Sequence, residues 1–547
     1  MLASSPLLQF LKWEQEMPDT VFLKQPTGNS WRTWTWKQAG NECRRMASAL
    51  HALQLPAGSH VAILSKNCAH WIMADIAIMM AGCISIPIYP TLTAASIQPI
   101  LEHSDAKAIF VGKLDDYTAQ QKGIPENLQR ISFDAYGIQE THTWTQLIAT
   151  HPPMNEVYCW KAEDIMTIIY TSGTTGQSKG VMHTAATFDV VLTLALQELY
   201  LPKKSMLFSY LPLSHIAERL ATEMNAFYNG STISFAESLE SFAENLAATQ
   251  PHCFFAVPRI WGKFREGILK KMPEKKLNML LGLPLLGKLV KKSIRKKLGL
   301  ARATHIYSAA APIAMDIMLW FEKLGIPIYQ AYGMTEDCVY AHFERPGKRQ
   351  MGSVGKALPG LKVKIAEDGE IRVKSAGNMK GYYKEPALTA AMFDEDGYMK
   401  TGDKGEYDHE GFLFITGRVK DQFKTDKGKY ISPAPIEMKL LACSDIEQVC
   451  VVGMGIPQPI ALVTLSDMGK KKDREAINGI LSDLLHKINP TLENYERMAK
   501  AVVMKENWTV ENGLLTPTLK VKRNQVEKIH QPYYPAWFHA EGAVLWE

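Results

Sequence analysis

The sequence predicts an α/β fold: a large N-terminal domain of helix-covered sheets with a β-rich subdomain, then a smaller α+β domain at the C-terminus. Three observations carry this. Between residues 60 and 111 short apolar runs of strand length alternate with helical patterns, the order that builds a parallel sheet covered by helices. From Lys362 the texture changes to short alternating strands and turns. A chain of 547 residues also exceeds what one core organises, so two or more domains are expected.

In order, Trp31 to Leu53 passes from polar–apolar alternation into a helical pattern. His60 to Leu64 reads as a strand, Asn67 as a helix cap, Trp71 to Ala81 as a buried helix and Cys83 to Tyr89 as a second strand. A helix near Ala95 to Glu102 and a strand at Ala108 to Val111 continue the alternation. Ile165 to Tyr170 is a further buried strand, and Phe188 to Leu199 an apolar helix. KVKIAEDGEIRVKS from Lys362 reads as a hairpin turning at Asp368-Gly369. The polar stretch GRVKDQFKTDKGKYISPAPIE has the composition of a domain boundary. Beyond it, strands at Gln448 to Val452, Ile460 to Leu465 and Ala501 to Met504 accompany a helix over Arg474 to Ile488.

Composition narrows the function class. A net charge of +5, 21% charged and 46% hydrophobic residues describe a chain able to bury large cores, which excludes a disordered one. The eight cysteines are scattered without a CxxC pair, as reduced core residues of a cytoplasmic protein would be, not as a disulfide framework or zinc site. The N-terminus lacks the basic region of a signal peptide, and no run is long and apolar enough to span a bilayer.

The chemistry concentrates after the Ile165 strand, in Thr171 to Gly180, TSGTTGQSKG. Glycines let backbone N–H groups turn toward an anion, hydroxyls add donors and Lys179 adds a point charge: the parts of a polyphosphate cradle. The spacing is not that of a Walker loop. Composition alone would also suit a flexible linker, but a linker needs neither the lysine nor the preceding strand. SYLPLSHIAER holds His215, locally either a site residue or a hydrogen-bonded core histidine. In VPRIW, Arg259 equally suits a structural ion pair. SAAAP, Ser308 to Pro312, offers small residues where a flat ring could press on backbone. IYQAYGMTED places Tyr332, Gly333, Thr335 and Glu336 in one short loop, where Thr335 could also be a helix cap. Asp403 and Lys520 have bland readings too, as a turn aspartate and a solvated basic loop.

Taken together and in order, these motifs resemble the acyl-adenylating superfamily over nearly the whole chain, and within it are most similar to long-chain fatty acid–CoA ligases. The resemblance implies ATP, Mg²⁺ and the cosubstrate CoA. Thr171, Ser172, Gly173, Thr174, Thr175 and Lys179 would hold the β- and γ-phosphates. Ala310 and Ala311 would line the adenine side, Tyr332 with Gly333 would pack on the adenine, and Thr335 would bind the α-phosphate. Glu336 would hold Mg²⁺, Asp403 and Arg418 the ribose hydroxyls. His215 would stand at the mouth of the acyl pocket, Lys420 would be the hinge between residues 1–419 and a mobile C-terminal domain of 420–547, Gly428 would approach CoA, and Lys520 would be the catalytic lysine. Tyr430 departs from the pattern, standing where acetyl-CoA synthetases carry a basic residue. Two other readings share these motifs: an acyl-AMP ligase serving a carrier protein, and an inactive lipid-binding relative.

One segment lies outside the motifs. Between Lys263 and Arg302 thirteen Lys/Arg face two acids, Glu266 and Glu274, among Leu, Met, Ile and Val. Such runs are often only a solvated helix face, yet basic and apolar residues together also suit peripheral contact with the inner face of an anionic membrane. Nucleic acid fits less well, for want of an aromatic platform.

Overall fold

The computed structural model describes residues 4–172, 178–516 and 518–547. Its largest sheet has eight strands, ordered Gly381–Tyr382, Ser178–Thr184, Ile165–Ser172, Ile84–Ile88, His60–Leu64, Ala108–Val111, Gln129–Ser132 and His142–Thr143. The six from Ile165–Ser172 onward run parallel, as the βαβ reading requires. The first two are antiparallel to their neighbours, so the sheet is mixed. Sequence reading passed from the Thr171 stretch straight to a helix and missed the Ser178–Thr184 strand. Its glycine and polar start hide the apolar run, and Thr184 then caps the Ala185–Leu199 helix through the Thr187 N–H, 3.2 Å away.

The Ala69–Met80 helix is apolar on every face but for His70 and Asp75, because all twelve of its residues are buried. Asn67 does not cap it. The N-cap is Cys68, and the free Ala69 N–H donates to Gln25 Oε1 of a distant strand at 3.0 Å. Asn67 is thereby released to bind the segment before His215. Its amide donates to Ser209 Oγ and the Leu211 carbonyl, both at 2.7 Å, and accepts from Leu213 N–H.

A second sheet runs Cys253–Ala256, His305–Ser308, Tyr329–Tyr332, His342–Phe343 and Lys356–Ala357, its first three strands parallel. A third pairs Met206–Ser209 and Thr232–Phe235 with Val21–Thr27 and Ser30–Thr35. The β-rich stretch forms an antiparallel sheet of Lys362–Ile365, Glu370–Lys374, Met399–Tyr407 and Leu413–Arg418, with Gly369 at φ +82° in the expected hairpin turn. The last sheet orders Ile446–Val452, Ile460–Leu465, Lys500–Val503 and Val544–Trp546. Apolar side chains from Phe423 onward form clusters on both of its faces, Val451, Ala461 and Val503 on one and Val452, Leu462 and Val502 on the other. No helix among the described residues is long and apolar enough to cross a membrane.

Candidate active site

Parallel strands deliver loops at their carboxyl ends, and the candidate residues occupy several such ends. Thr171 and Lys179 are cross-strand partners in the Ile165–Ser172 and Ser178–Thr184 pair, with Ser172 opposite Ser178. Gly173, Thr174 and Thr175 lie outside the described residues. Lys179 places its ammonium 5.2 Å from the centre of the Tyr382 ring, on the adjoining Gly381–Tyr382 strand.

Tyr382 leads to the next group, donating its hydroxyl to Glu336 Oε1 at 2.8 Å. Glu336 is buried, which raises its pKa, while the Tyr382 hydrogen bond and Lys179 oppose the shift. The Thr335 carbonyl accepts from His183 Nε2 at 2.7 Å, and burial holds that imidazole's pKa down at about 4, so it donates as the neutral ring. Thr335 is no helix cap: the turn it begins is closed by Asp337 Oδ1, which accepts from Met334 N–H at 2.8 Å. Gly333 is required by close approach, since a Cβ there would come within 2.7 Å of Val339 Cα.

Tyr332 donates to Asp403 Oδ2 at 2.9 Å, and Arg418 donates from Nε to Asp403 Oδ1 at 2.6 Å across the strand pair that sets the two residues opposite each other. Ala310 holds φ +71°, a left-handed conformation that costs a non-glycine residue roughly 1–2 kcal/mol. Its neighbour Ala311 is exposed, and the nearby Ser308 hydroxyl is buried without a partner among the described residues. These small side chains and that open hydroxyl leave room for a ring to approach the backbone.

Lys520 comes from the far end of the chain. Its N–H donates to Thr516 Oγ1 at 3.0 Å and its carbonyl accepts from Thr516 N–H at 2.8 Å, forming a tight turn. The side chain keeps contact with solvent yet is crowded by protein. That crowding lowers its pKa, Arg418 lowers it further, and Asp403 and Glu336 oppose the shift. Lys520 in turn adds to the burial that pushes His215 down to about 4. His215 is therefore neutral, and because its Nδ1 accepts from Ala217 N–H at 3.1 Å, the proton sits on Nε2. Lys520, Glu336, Asp403, Arg418 and His215 thus share one electrostatic neighbourhood. Lys420 and Gly428 stand apart from it, Lys420 in the exposed turn after Leu413–Arg418 and Gly428 at φ +77° in the Phe423–Lys424/Tyr430–Ile431 hairpin.

Three supporting groups escape sequence reading. His183 and Tyr382 hold the Thr335–Glu336 loop, and Arg219 anchors the His215 segment. Arg219 is fully buried, pairing with Asp75 and with Glu223 at 3.2 Å and donating to Thr167 Oγ1 at 2.7 Å. The arginine of HIAER could have suggested an anchor, but its partners lie on other elements. The chemistry of the cluster suits one divalent cation shared with a bound phosphate chain, as Mg²⁺ ordinarily binds: a single carboxylate, Glu336, oriented by a phenol, beside Lys179. The described residues hold no group of three or more His, Cys, Asp or Glu that could cage a metal unaided.

Two family models match the chain. The one described as AMP-binding enzyme matches residues 10–383, and the one described as AMP-binding enzyme C-terminal domain matches residues 420–533. The chain is 28% identical to the long-chain-fatty-acid–CoA ligase FadD15 of Mycobacterium bovis, over 94% of this chain and 93% of that protein. It is 31% identical to the putative fatty-acid–CoA ligase fadD11 of Mycobacterium tuberculosis, over 67% and 73%. Among solved structures, the adenylation domain of a Mycobacterium chelonae carboxylate reductase superposes with a TM-score of 0.82 at 20% identity, covering 99% of this chain and 92% of that one. The o-succinylbenzoate CoA synthetase of Bacillus subtilis, solved with ATP and magnesium, gives 0.75 at 23%, covering 95% and 99%.

Proposed function

The chain belongs to the AMP-binding enzyme family, and from that premise we propose that it activates a long-chain fatty acid with ATP and passes the acyl group to CoA. The observation that supports this reading is that Lys520 lies within electrostatic reach of Glu336, Asp403, Arg418 and His215, where Asp403 is already held by Tyr332 and Arg418 and Glu336 by Tyr382. The names of its relatives supply the fatty acid and CoA.

A carboxylate attacking a polyanion is opposed by charge, so the residues must mainly neutralise and align. In the first half-reaction the fatty acid carboxylate oxygen bonds to the α-phosphorus as the bond to pyrophosphate breaks, giving acyl-AMP. Lys520 places its ammonium where carboxylate and phosphate meet. Thr335 donates to the α-phosphate, Lys179 and the Thr171 segment hold the outgoing phosphates, and Asp403 and Arg418 receive the ribose hydroxyls. Tyr332 and the Ala310–Ala311 turn bracket the adenine, and neutral His215 faces the acyl chain from the loop that Asn67 fastens. Mg²⁺, held through Glu336, supplies charge neutralisation on the phosphate oxygens. In the second half-reaction the CoA thiolate attacks the acyl carbonyl and AMP leaves. Lys420, in its exposed turn, is the hinge about which residues 420–547 withdraw Lys520 and bring Gly428 toward CoA.

The test is AMP and pyrophosphate formation over a series of fatty acids, with and without CoA, for the parent and Lys520→Ala. We expect AMP release to require CoA and the variant to lose ATP–pyrophosphate exchange by roughly 100-fold or more, the loss typical of removing one electrostatic stabiliser. Acyl-AMP that persists unchanged on adding CoA would remove the CoA step and favour delivery to a carrier. No exchange with any fatty acid would remove the activity.

A further inference from the structure

Three consecutive helices, Pro258–Lys271, Glu274–Leu281 and Pro284–Lys297, contain most of the basic segment, and the last two form a hairpin. They pack so closely that a Cβ on Gly287 would lie 2.7 Å from the Leu281 carbonyl oxygen. The inward side of the hairpin is satisfied: Leu277 is buried, and Leu281, Val290, Ile294 and Leu298 pack against a core containing Phe254, Trp261 and Phe321. The outward side is not satisfied. Met279, Leu283, Leu285, Leu286 and Leu289 face solvent together around the turn, with Leu285 79% and Leu289 64% exposed.

Charge surrounds this apolar tip. Lys275, Lys276, Lys288, Lys292 and Lys296 are exposed, no acidic residue occurs from Lys275 to Arg302, and none of these lysines has an ion-pair partner among the described residues. Along the third helix Leu285 and Leu289 continue at helical spacing into Lys292 and Lys296, so one ridge changes from apolar to cationic away from the turn.

We propose that this hairpin is a docking wedge for an anionic lipid bilayer: the leucines and Met279 enter the acyl boundary while the lysines meet the headgroups. A second copy of the chain would bring like charge against like charge, and a nucleic acid would find no aromatic side chain between Lys275 and Arg302 to stack on. A bilayer alone matches both halves of the surface, apolar area at the tip and negative charge around it. The core beneath the hairpin also contains Phe208, on the Met206–Ser209 strand that leads toward the His215 loop, and, at its margin, Tyr210 just past that strand. Docking therefore brings that loop's side of the molecule toward lipid.

The experiment is sedimentation of the whole protein with vesicles of phosphatidylcholine alone or mixed with phosphatidylglycerol, at low and high salt. Binding is expected only to the anionic vesicles and to fall with salt. Lys288→Gln/Lys291→Gln/Lys292→Gln should weaken the partition constant on the order of 100-fold, and Leu285→Ser/Leu289→Ser on the order of tenfold per leucine. Unchanged thermal melting would show that both variants fold. No binding to anionic vesicles by the parent, or full binding by both folded variants, overturns the proposal. So does a dimer in size-exclusion chromatography that the leucine variant alone dissociates, since the tip would then be covered by a second copy.

Discussion

At the scale of the residue, Lys520 is the side chain on which the proposed chemistry turns, and its surroundings work against its charge. Crowding and Arg418 lower its pKa from the ordinary 10.5, and only Asp403 and Glu336 favour the ammonium. The working form in the proposed reaction is the cation, present below that lowered pKa and lost as pH rises through it. Exchange should therefore decline on the alkaline side before an unperturbed lysine would deprotonate. A profile of ATP–pyrophosphate exchange against pH checks this, and a rate that stays level past 10.5 would show that the ammonium is not required. Local sequence does not favour Lys520 over its neighbour Lys522; only the family motif does, and the groups that shift its pKa, residues 403, 418 and 336, are each far away in the chain.

At the scale of the element, the two-residue strand Gly381–Tyr382 has an influence beyond its length. Its pairing with Val181 and Met182 fixes Tyr382 so that the phenol reaches Glu336 while the ring lies under Lys179. Removing a partner that orients a metal-binding carboxylate typically weakens the metal by roughly 10–100-fold. Tyr382→Phe should accordingly raise the Mg²⁺ concentration needed for half-maximal exchange by about tenfold, with a near-normal melting temperature. An unchanged Mg²⁺ requirement would separate Glu336 from the metal. Such short strands are nearly invisible in sequence: GYYKEP has neither the length nor the alternation of a strand, whereas the His60–Leu64, Ile84–Ile88 and Arg474–Ile488 elements were legible because apolar periodicity specifies them. The same limit hid His183 and the route of Asn67. Motif spacing identifies which residues are polar and where they fall in the chain, but not which distant carbonyl or carboxylate they meet.

At the scale of the whole molecule, the helix after Val257 touches the C-terminal portion through Arg259, whose Nη2 lies 2.5 Å from Glu447 Oε1. The Arg259 side chain is 43% exposed, so the pair has surface character, worth about 1 kcal/mol at most. A contact of that size can bias an arrangement without locking it, as the proposed hinge at Lys420 requires. Arg259→Ala should lower exchange by no more than about fivefold, and should not slow thioester formation from preformed acyl-adenylate. A larger loss confined to the thioester step would place Arg259 in CoA binding instead.

The strand Ser178–Thr184 sorts its side chains by odd and even. Lys179 reaches Tyr382, Val181 packs with Met379 and Tyr382, and His183 holds the Thr335 carbonyl, whereas Met182 turns to the opposite layer with Ile168 and Tyr170. A slip of one residue would exchange these sets at a stroke, sinking a cation and an imidazole into the apolar layer and presenting methionine to the side that holds Tyr382 and the Thr335 carbonyl. Because the strand is hydrogen-bonded along both edges, to Ile165–Ser172 and to Gly381–Tyr382, such a slip must break two ladders together. The correct placement of charge in this cleft is thus enforced by the parity of a ladder, more firmly than by any contact of the lysine itself.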